Sequence, residues 1–295
     1  MSDQATTPQA PVPPARLPAA SGAGADPQTG PCYAYAIGRG TPELADAVAG
    51  VSGLDGAGVR TVCADGLGAL VCAVAPDAFD TAGLRAQLED LERLTTIARS
   101  HHEVVAAASA ATTVLPLRLG TVYRDASRVA QMLREHGAAL RESLDRLAGH
   151  AEWGVKVYTE PSVGAPTPPA ADDTTETPGR AYLQRRRAAR EAQRAADRTA
   201  REVVARVRAG AAEWAVDRVA HRPQHGELAS TDGENLVNDA YLVAAEHVDA
   251  FQAAVRHAAA GAAGVRVELT GPWAPYSFAT PPGAEPAGEG SGHER

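Results

Sequence analysis

The chain has 295 residues, of which 44% are hydrophobic and only 4% aromatic, and its formal net charge is −8 at pH 7. The length allows about two domains, and their cores have to be built mainly from Leu, Val and Ala. The acidic balance argues against a nucleic-acid protein, which shows a basic footprint, and no stretch approaches the ~20 apolar residues of a membrane span.

Residues 1–30 are rich in Pro, Ala, Gly and Thr and nearly free of large apolar side chains, the composition of a disordered tail. They lack a basic stretch followed by an apolar core, so no secretory signal is expected and the chain is placed in the cytoplasm. Cys32–Ile37 reads as a strand stopped by Gly38. Thr41-Pro42-Glu43 supplies an N-cap, a first-turn proline and an acidic residue, a helix start. Val59–Cys63 and Ala69–Val74 read as two strands joined at Asp65-Gly66, a pair suited to the positive φ angles of a hairpin turn. A single helix is expected from Thr81 to Ala111, with Leu84, Leu88, Leu91, Ala98 and His102 along its apolar side. Val114–Tyr123 is the densest β-branched and apolar run in the chain. Pro116 has no N–H to give to a ladder, so this strand belongs at a sheet edge or is interrupted. Cys32, Cys63 and Cys72 each lie in an apolar run without C-x-x-C spacing and read as small buried residues of a reducing compartment.

The resulting order over 31–124 is strand, helix, strand, strand, helix, strand, the string of a ferredoxin-like α+β domain. The second half, 125–279, reads as a helix-rich α+β domain with long helices. A helix is expected from Asp125, with Val129, Met132, Leu133, Leu140, Leu144 and Leu147 at three- and four-residue steps and a stop at Gly149. Trp153–Tyr158 reads as a strand and 160–179 as a flexible loop. A very long helix then runs from Ala181 to about Val219, rich in Ala and Arg. Glu234–Ala245 reads as a strand with an irregularity at Asn238-Asp239, and Val248 to about Ala260 as a helix. Val265–Leu269 alternates as a half-buried strand, and 280–295 as a second disordered tail.

Little here assembles into catalysis. His101-His102-Glu103 are neighbours on a helix and point about 100° apart, so they do not face one metal. His221, His225 and Glu227 lack the third or fourth ligand that zinc takes at defined spacing. Gly50-Val51-Ser52-Gly53 is followed by Leu54 where a nucleophile elbow needs glycine. Lys156, the only lysine, lies in a strand, and no P-loop is present. No catalytic residue, metal or cofactor is expected. The arginines from Arg180 to Arg190 interleave with Glu191, Asp197 and Glu202 at distances that permit helical ion pairs. The segment reads as a self-paired solvated face, with a partner surface as the alternative. Trp273, Tyr276 and Phe278 read as a clasp onto the core, with an exposed recognition patch as the alternative.

Several of these stretches resemble one family. Val114-Leu115-Pro116-Leu117-Arg118-Leu119-Gly120-Thr121 resembles the LPLRFGT core of the gas vesicle protein GvpL/GvpF family, with His102 and Glu103 at the family's distance before it. Glu152–Val157 is similar to its E-W/Y-G-V-K strand, and Gly179–Leu183 to its G-x-x-Y-L helix start. Ala240–Val243 is similar to its AYLV strand, and Leu269–Phe278 to its TGPWPPYSF ending. Departures are small: Leu119 stands for the usual Phe, Ala274 for a Pro, and the loop from Pro161 to Gly179 is long. The resemblance implies a two-domain protein of gas vesicle formation that contacts the small, very hydrophobic shell protein and other accessory proteins, without catalysis or cofactor. Leu115, Pro116 and Arg118, Tyr182 with Arg185, Arg186 and Arg187, and Trp273 with Tyr276 are the candidate contact residues. A small-molecule sensor or enzyme on a ferredoxin-like fold is the rival reading. It requires a deep pocket between sheet and helices lined by convergent polar groups.

Overall fold

A computed structural model describes residues 30–159, 178–223, 234–262 and 264–279. The expectations for most of 1–30, of 160–179 and of the 280–295 tail, and those for His225 and Glu227, lie outside the described residues. The first sheet contains β1 (Cys32–Arg39), β2 (Arg60–Ala64), β3 (Leu67–Ala73), β4 (Val114–Pro116) and β5 (Val122–Tyr123). Its order is β2-β3-β1-β4, with β5 also pairing with β1, and its pairings are antiparallel. The second contains β6 (His150–Thr159), β7 (Ala215–His221), β8 (Asn235–Ala244) and β9 (Val265–Trp273) in the order β7-β8-β6-β9. The helices are α1 (Pro42–Asp46), α2 (Pro76–Phe79), α3 (Thr81–Glu89), α4 (Leu91–Ala111), α5 (Ala126–Glu135), α6 (Gly137–Leu147), α7 (Pro178–Ala212) and α8 (Val248–Ala259). The chain is therefore a mixed α+β protein with two antiparallel sheets, and both sheets order their strands second, third, first, fourth.

Each sheet is packed on both faces. Tyr33, Tyr35, Leu70 and Cys72 turn to one side of the first sheet, where Leu44 of α1 and Ile97, Val104 and Ala108 of α4 cover them. Cys32, Ala34, Ala69 and Val71 turn to the other, against Val129 and Leu133 of α5 and Leu140 and Leu144 of α6. Ala240 and Leu242 of β8 join this second cluster, so α5 and α6 are packed between the two sheets. The far face of the second sheet carries Trp153, Val155 and Tyr241 against Val203 and Val207 of α7 and Phe251 and Val255 of α8. A register shift between Ala34 and Ala36 lets Tyr35 and Ala36 both reach the α4 side.

The structure corrects several expectations. The helix from Thr81 is two helices because Asp90 has extended backbone and caps α4, accepting from Glu92 N and Arg93 N. Leu91, at that break, is 78% exposed, and His102 is exposed while His101 is buried. The helix after Asp125 breaks at His136, whose φ of −109° and ψ of 12° are not helical. The long helix ends at Ala212, and Ala215–His221 is strand β7, hydrogen-bonded to β8. β8 pairs with β6 straight through Asn238-Asp239, and the irregularity lies instead at Val157/Tyr158. Cys63 is exposed on β2, although Cys32 and Cys72 are buried. The run Val114–Tyr123 is interrupted: β4 ends at Pro116, and five residues loop out before β5. Asp65 and Gly66 have φ of 47° and 74°, as the hairpin between β2 and β3 requires.

Candidate functional site

The interrupted run builds a groove at the edge of the first sheet. Asp80 caps α3 by accepting from Gly83 N at 2.7 Å, and this sets Leu84 and Leu88 one turn apart on the same face. Across from them the chain turns at Gly120, whose φ is 82°, a conformation costly for a residue with a Cβ. A Cβ there would lie 3.6 Å from a Leu88 methyl and 3.7 Å from a Leu84 methyl. Beside this contact lies a cavity of about 710 Å³, floored by Phe79, Leu84, Leu88 and Val122, with exposed Asp80, Arg85, Glu89 and Arg124 among its lining residues. β5 is an edge strand. Thr121 O accepts from Ala34 N at 2.9 Å, and Val122 sits opposite Tyr33. Alternation along an antiparallel ladder therefore turns the N–H and C=O of Val122 away from β1, toward the open edge.

The loop before β5 is fixed from inside. Tyr33 Oη accepts from Gly120 N at 3.2 Å and lies 2.9 Å from His101 Nδ1. His101 is 3% exposed. Burial pushes its pKa down to about 4 against the weaker opposing effect of the Leu117 carbonyl. The ring is then neutral at pH 7, and a neutral ring can accept a hydrogen bond from the Tyr33 hydroxyl at Nδ1. Burial likewise pushes Tyr33 up to about 12, so its hydroxyl stays protonated.

The C-terminal segment closes over the same region. Ala274 is buried with Val114, and Phe278 with the α5–α6 cluster. The Trp273 ring lies 5.6 Å from His102 and the Tyr276 ring 6.2 Å from His101. Glu152 of β6 accepts from both Ser277 N and Ser277 Oγ at 2.7 Å. His221 Nε2 lies 2.9 Å from the same hydroxyl. Burial raises the Glu152 pKa, and the Ser277 donors oppose it. In a Ser-His-Asp triad the imidazole stands between nucleophile and acid. Here the hydroxyl stands in the middle and donates a hydrogen bond to the carboxylate, an arrangement that tethers the C-terminal segment to β6. Of the three aromatics read as a clasp, Phe278 is buried, while Trp273 and Tyr276 keep 42% and 37% exposure; Ala274 and Ser277 also anchor the segment.

The structure separates the remaining sequence candidates. Leu115 and Pro116 are buried, Leu115 in the cluster with α5 and α6 and not in the groove, whereas Arg118 is exposed on the loop. Arg186 and Arg187 are exposed on α7; the side chains of Tyr182 and Arg185 lie outside the described residues. The expected ion pairs of Arg186, Arg187 and Arg190 along α7 are absent among the described residues. The helix is tied down farther along, where buried Asp239 accepts from Arg208 Nε at 2.8 Å and from Arg218 Nη1 at 3.0 Å. Among the described residues no cluster of three metal-binding side chains occurs and no helix is long and apolar enough to cross a membrane. Sequence reasoning missed the groove residue Phe79 and the Asp239 clamp; Val122 falls within the run Val114–Tyr123 that it singled out, although not among its named contact residues. It had placed Leu84 and Leu88 in the core, where the same spacing would put them.

Comparison with known proteins fits this architecture. A family model described as Gas vesicle synthesis protein GvpL/GvpF matches residues 31–280. Gas vesicle protein L of Streptomyces sp. (strain CB03234) is 41% identical over 249 residues, covering 84% of this chain and 92% of that protein. Gas vesicle protein F2 of Halobacterium salinarum is 29% identical over 192 residues, 64% of this chain and 70% of that one. The crystal structure of GvpF from Anabaena sp. PCC7120 superimposes with a TM-score of 0.59 at 21% identity, covering 85% of this chain and 96% of that chain.

Proposed function

Because the chain belongs to the GvpL/GvpF family of gas vesicle proteins, we propose that it is an accessory protein of gas vesicle assembly that binds the small, apolar shell protein. The observation that carries this reading is the groove between α3 and β5, with an apolar floor beside a sheet edge whose Val122 backbone is turned outward. A subunit with a large apolar surface self-associates unless that surface is covered before it enters the wall. An extended apolar segment can do two things in this groove at once. It adds its backbone hydrogen bonds to the free edge, and it buries alternate side chains against Leu84, Leu88 and Phe79. Arg118 and the half-exposed Trp273 and Tyr276 extend the contact toward the C-terminal segment.

On this reading the protein works in the cytoplasm and at the vesicle, contacts other accessory proteins as well, and carries out no catalysis. The rival small-molecule sensor calls for polar groups converging inside a pocket, whereas the floor here is apolar and the charged side chains are exposed. The repeated strand order supports two ferredoxin-like units, over 31–124 and 125–279, with α5 and α6 packed between their sheets. The experiment is co-expression with the shell protein. Soluble, co-purifying shell protein that is lost when Leu84 and Leu88 are both changed to Asp supports the proposal; shell protein that aggregates equally with and without this chain overturns it.

A further inference from the structure

Helix α7 is 35 residues long, yet Ala200 is the first of its described side chains to be buried. Val203, Val207 and Ala211 follow and dock its C-terminal part on the second sheet. Residues 178–199, about 33 Å of helix at 1.5 Å per residue, extend before that docked part. Along this arm Arg186, Arg190, Arg194 and Arg198 recur at every fourth position, and all four are exposed. Arg187 and Arg201 are exposed beside them. None of the four forms an ion pair among the described residues. The ion pair that does fasten α7 is the one from Arg208 to Asp239, beyond the arm. Like charges at i,i+4 repel and weaken a helix, and a helix without tertiary packing is marginal in water. The arm thus carries a row of guanidinium groups that form no ion pair among the described residues, spaced about 6 Å apart along the helix axis, on a part of α7 where none of the described side chains is buried.

We propose that this arm is the docking surface for a partner protein that presents an acidic helix, with Asp or Glu at about every fourth position, laid along Arg186–Arg198. Carboxylates at that spacing on the partner meet guanidinium groups at the same spacing, and each pair can form parallel N–H···O bonds. Binding removes the repulsion along the row, so the partner also stabilises the arm. A protein partner fits better than a nucleic acid because the chain as a whole carries −8, which repels a long polyanion but matters less to a short carboxylate row. The proposal concerns a different surface and a different occupant from the apolar groove, and it stands or falls separately.

The test uses the full chain and a labelled alanine-rich helical peptide with Glu at every fourth position. Controls are the same peptide with Gln for Glu and a single-stranded DNA oligonucleotide of equal charge. The Glu peptide is expected to bind saturably, and the Gln peptide not to bind. Affinity is expected to fall about tenfold in ~0.5 M salt, where screening is within a few ångström. It is also expected to fall at least about tenfold when Arg186, Arg190, Arg194 and Arg198 are all changed to Glu. The corresponding Arg→Gln set, which avoids new repulsion within the helix, is expected to lose binding to a smaller but measurable extent. Equal affinity of the wild-type and Gln-substituted proteins overturns the proposal. So does an oligonucleotide that binds as tightly as the Glu peptide, which assigns the arm to nucleic acid.

Discussion

Ser277 gives both its backbone N–H and its hydroxyl to the carboxylate of Glu152, each at 2.7 Å. This pair joins the C-terminal segment to β6, and through Ala274 and Phe278 the segment reaches both cores of the first sheet. Removing the acceptor takes the charged partner from the half-buried Ser277 N–H and hydroxyl, of which the hydroxyl keeps His221 Nε2 at 2.9 Å, and losing a hydrogen bond to a charged group costs about 1.5–3 kcal/mol. Glu152→Ala is therefore expected to lower unfolding free energy by about 2–3 kcal/mol. Ser277→Ala, which keeps the N–H bond, is expected to lose only about 1 kcal/mol. Urea titrations of the two variants decide this; equal losses contradict the tether.

His101 makes stability depend on pH. Its folded pKa of about 4 lies below the ordinary ~6.5 of an exposed imidazole. The unfolded chain binds more protons between those values, so stability is full above pH 6.5 and falls as pH drops toward 4. Between pH 7 and pH 5 the expected loss from this group is about 2 kcal/mol. A His101→Leu protein is expected to be less stable at pH 7, because Tyr33 loses a partner, but to lack this part of the slope. A slope unchanged by the substitution contradicts the assignment.

Asp239 is 1% exposed and is held by Arg208 and Arg218, each of which is about 42–43% exposed. Either arginine alone leaves the carboxylate paired, so Arg208→Met and Arg218→Met are each expected to cost about 1 kcal/mol. The double variant leaves a buried carboxylate with Tyr241 Oη at 3.4 Å as its remaining partner. It is expected to cost more than the sum of the singles by about 1 kcal/mol or more. Strict additivity in a double-mutant cycle contradicts the clamp.

Gly271 has a φ of 135°, and a Cβ there would lie 2.9 Å from Glu152 O and 3.0 Å from the Trp153 ring. Gly50 also has a positive φ, 84°, but its Cβ would meet nothing within 4 Å. Gly271→Ala is expected to destabilise by about 2 kcal/mol or more and Gly50→Ala by about 1 kcal/mol. Thermal melts of the two proteins check the order.

Local chemistry was what the sequence carried well. Asp65-Gly66 makes the hairpin turn its chemistry placed there, and α1 starts at Pro42 although Thr41 forms no side-chain cap bond. A helix starts after Asp125, and Pro116 does stand at the end of an edge strand. What it did not carry depended on tertiary partners. Val216 is 59% exposed, so β7 has no buried stripe to announce it, and the alanines before it continue a helical pattern; its pairing with β8 makes it a strand. Asp90 sits within a good helical period, and only its extended backbone reveals a cap. Leu84 and Leu88 have the spacing of a core stripe. They floor a groove because Gly120, over thirty residues away, turns back to face them. The arginines of α7 had acidic neighbours at pairing distance, yet spacing permits an ion pair without requiring one.

The central claim is that the groove between α3 and β5 takes an apolar segment of the shell protein. The direct measurement is co-expression of the shell protein with the wild-type chain and with the Leu84→Asp, Leu88→Asp variant, followed by purification of soluble complex. The variant's fold is checked by circular dichroism and thermal melting. Its melting temperature is expected to fall while the melt remains a single cooperative transition, because both leucines are half-buried and Leu84 packs against the core. The account predicts a soluble complex with the wild-type chain and about tenfold less with the folded variant, the loss that follows from ~1.4 kcal/mol of contact energy. Equal recovery of complex by the two proteins contradicts the groove as the binding site, and no complex with either contradicts the assembly role.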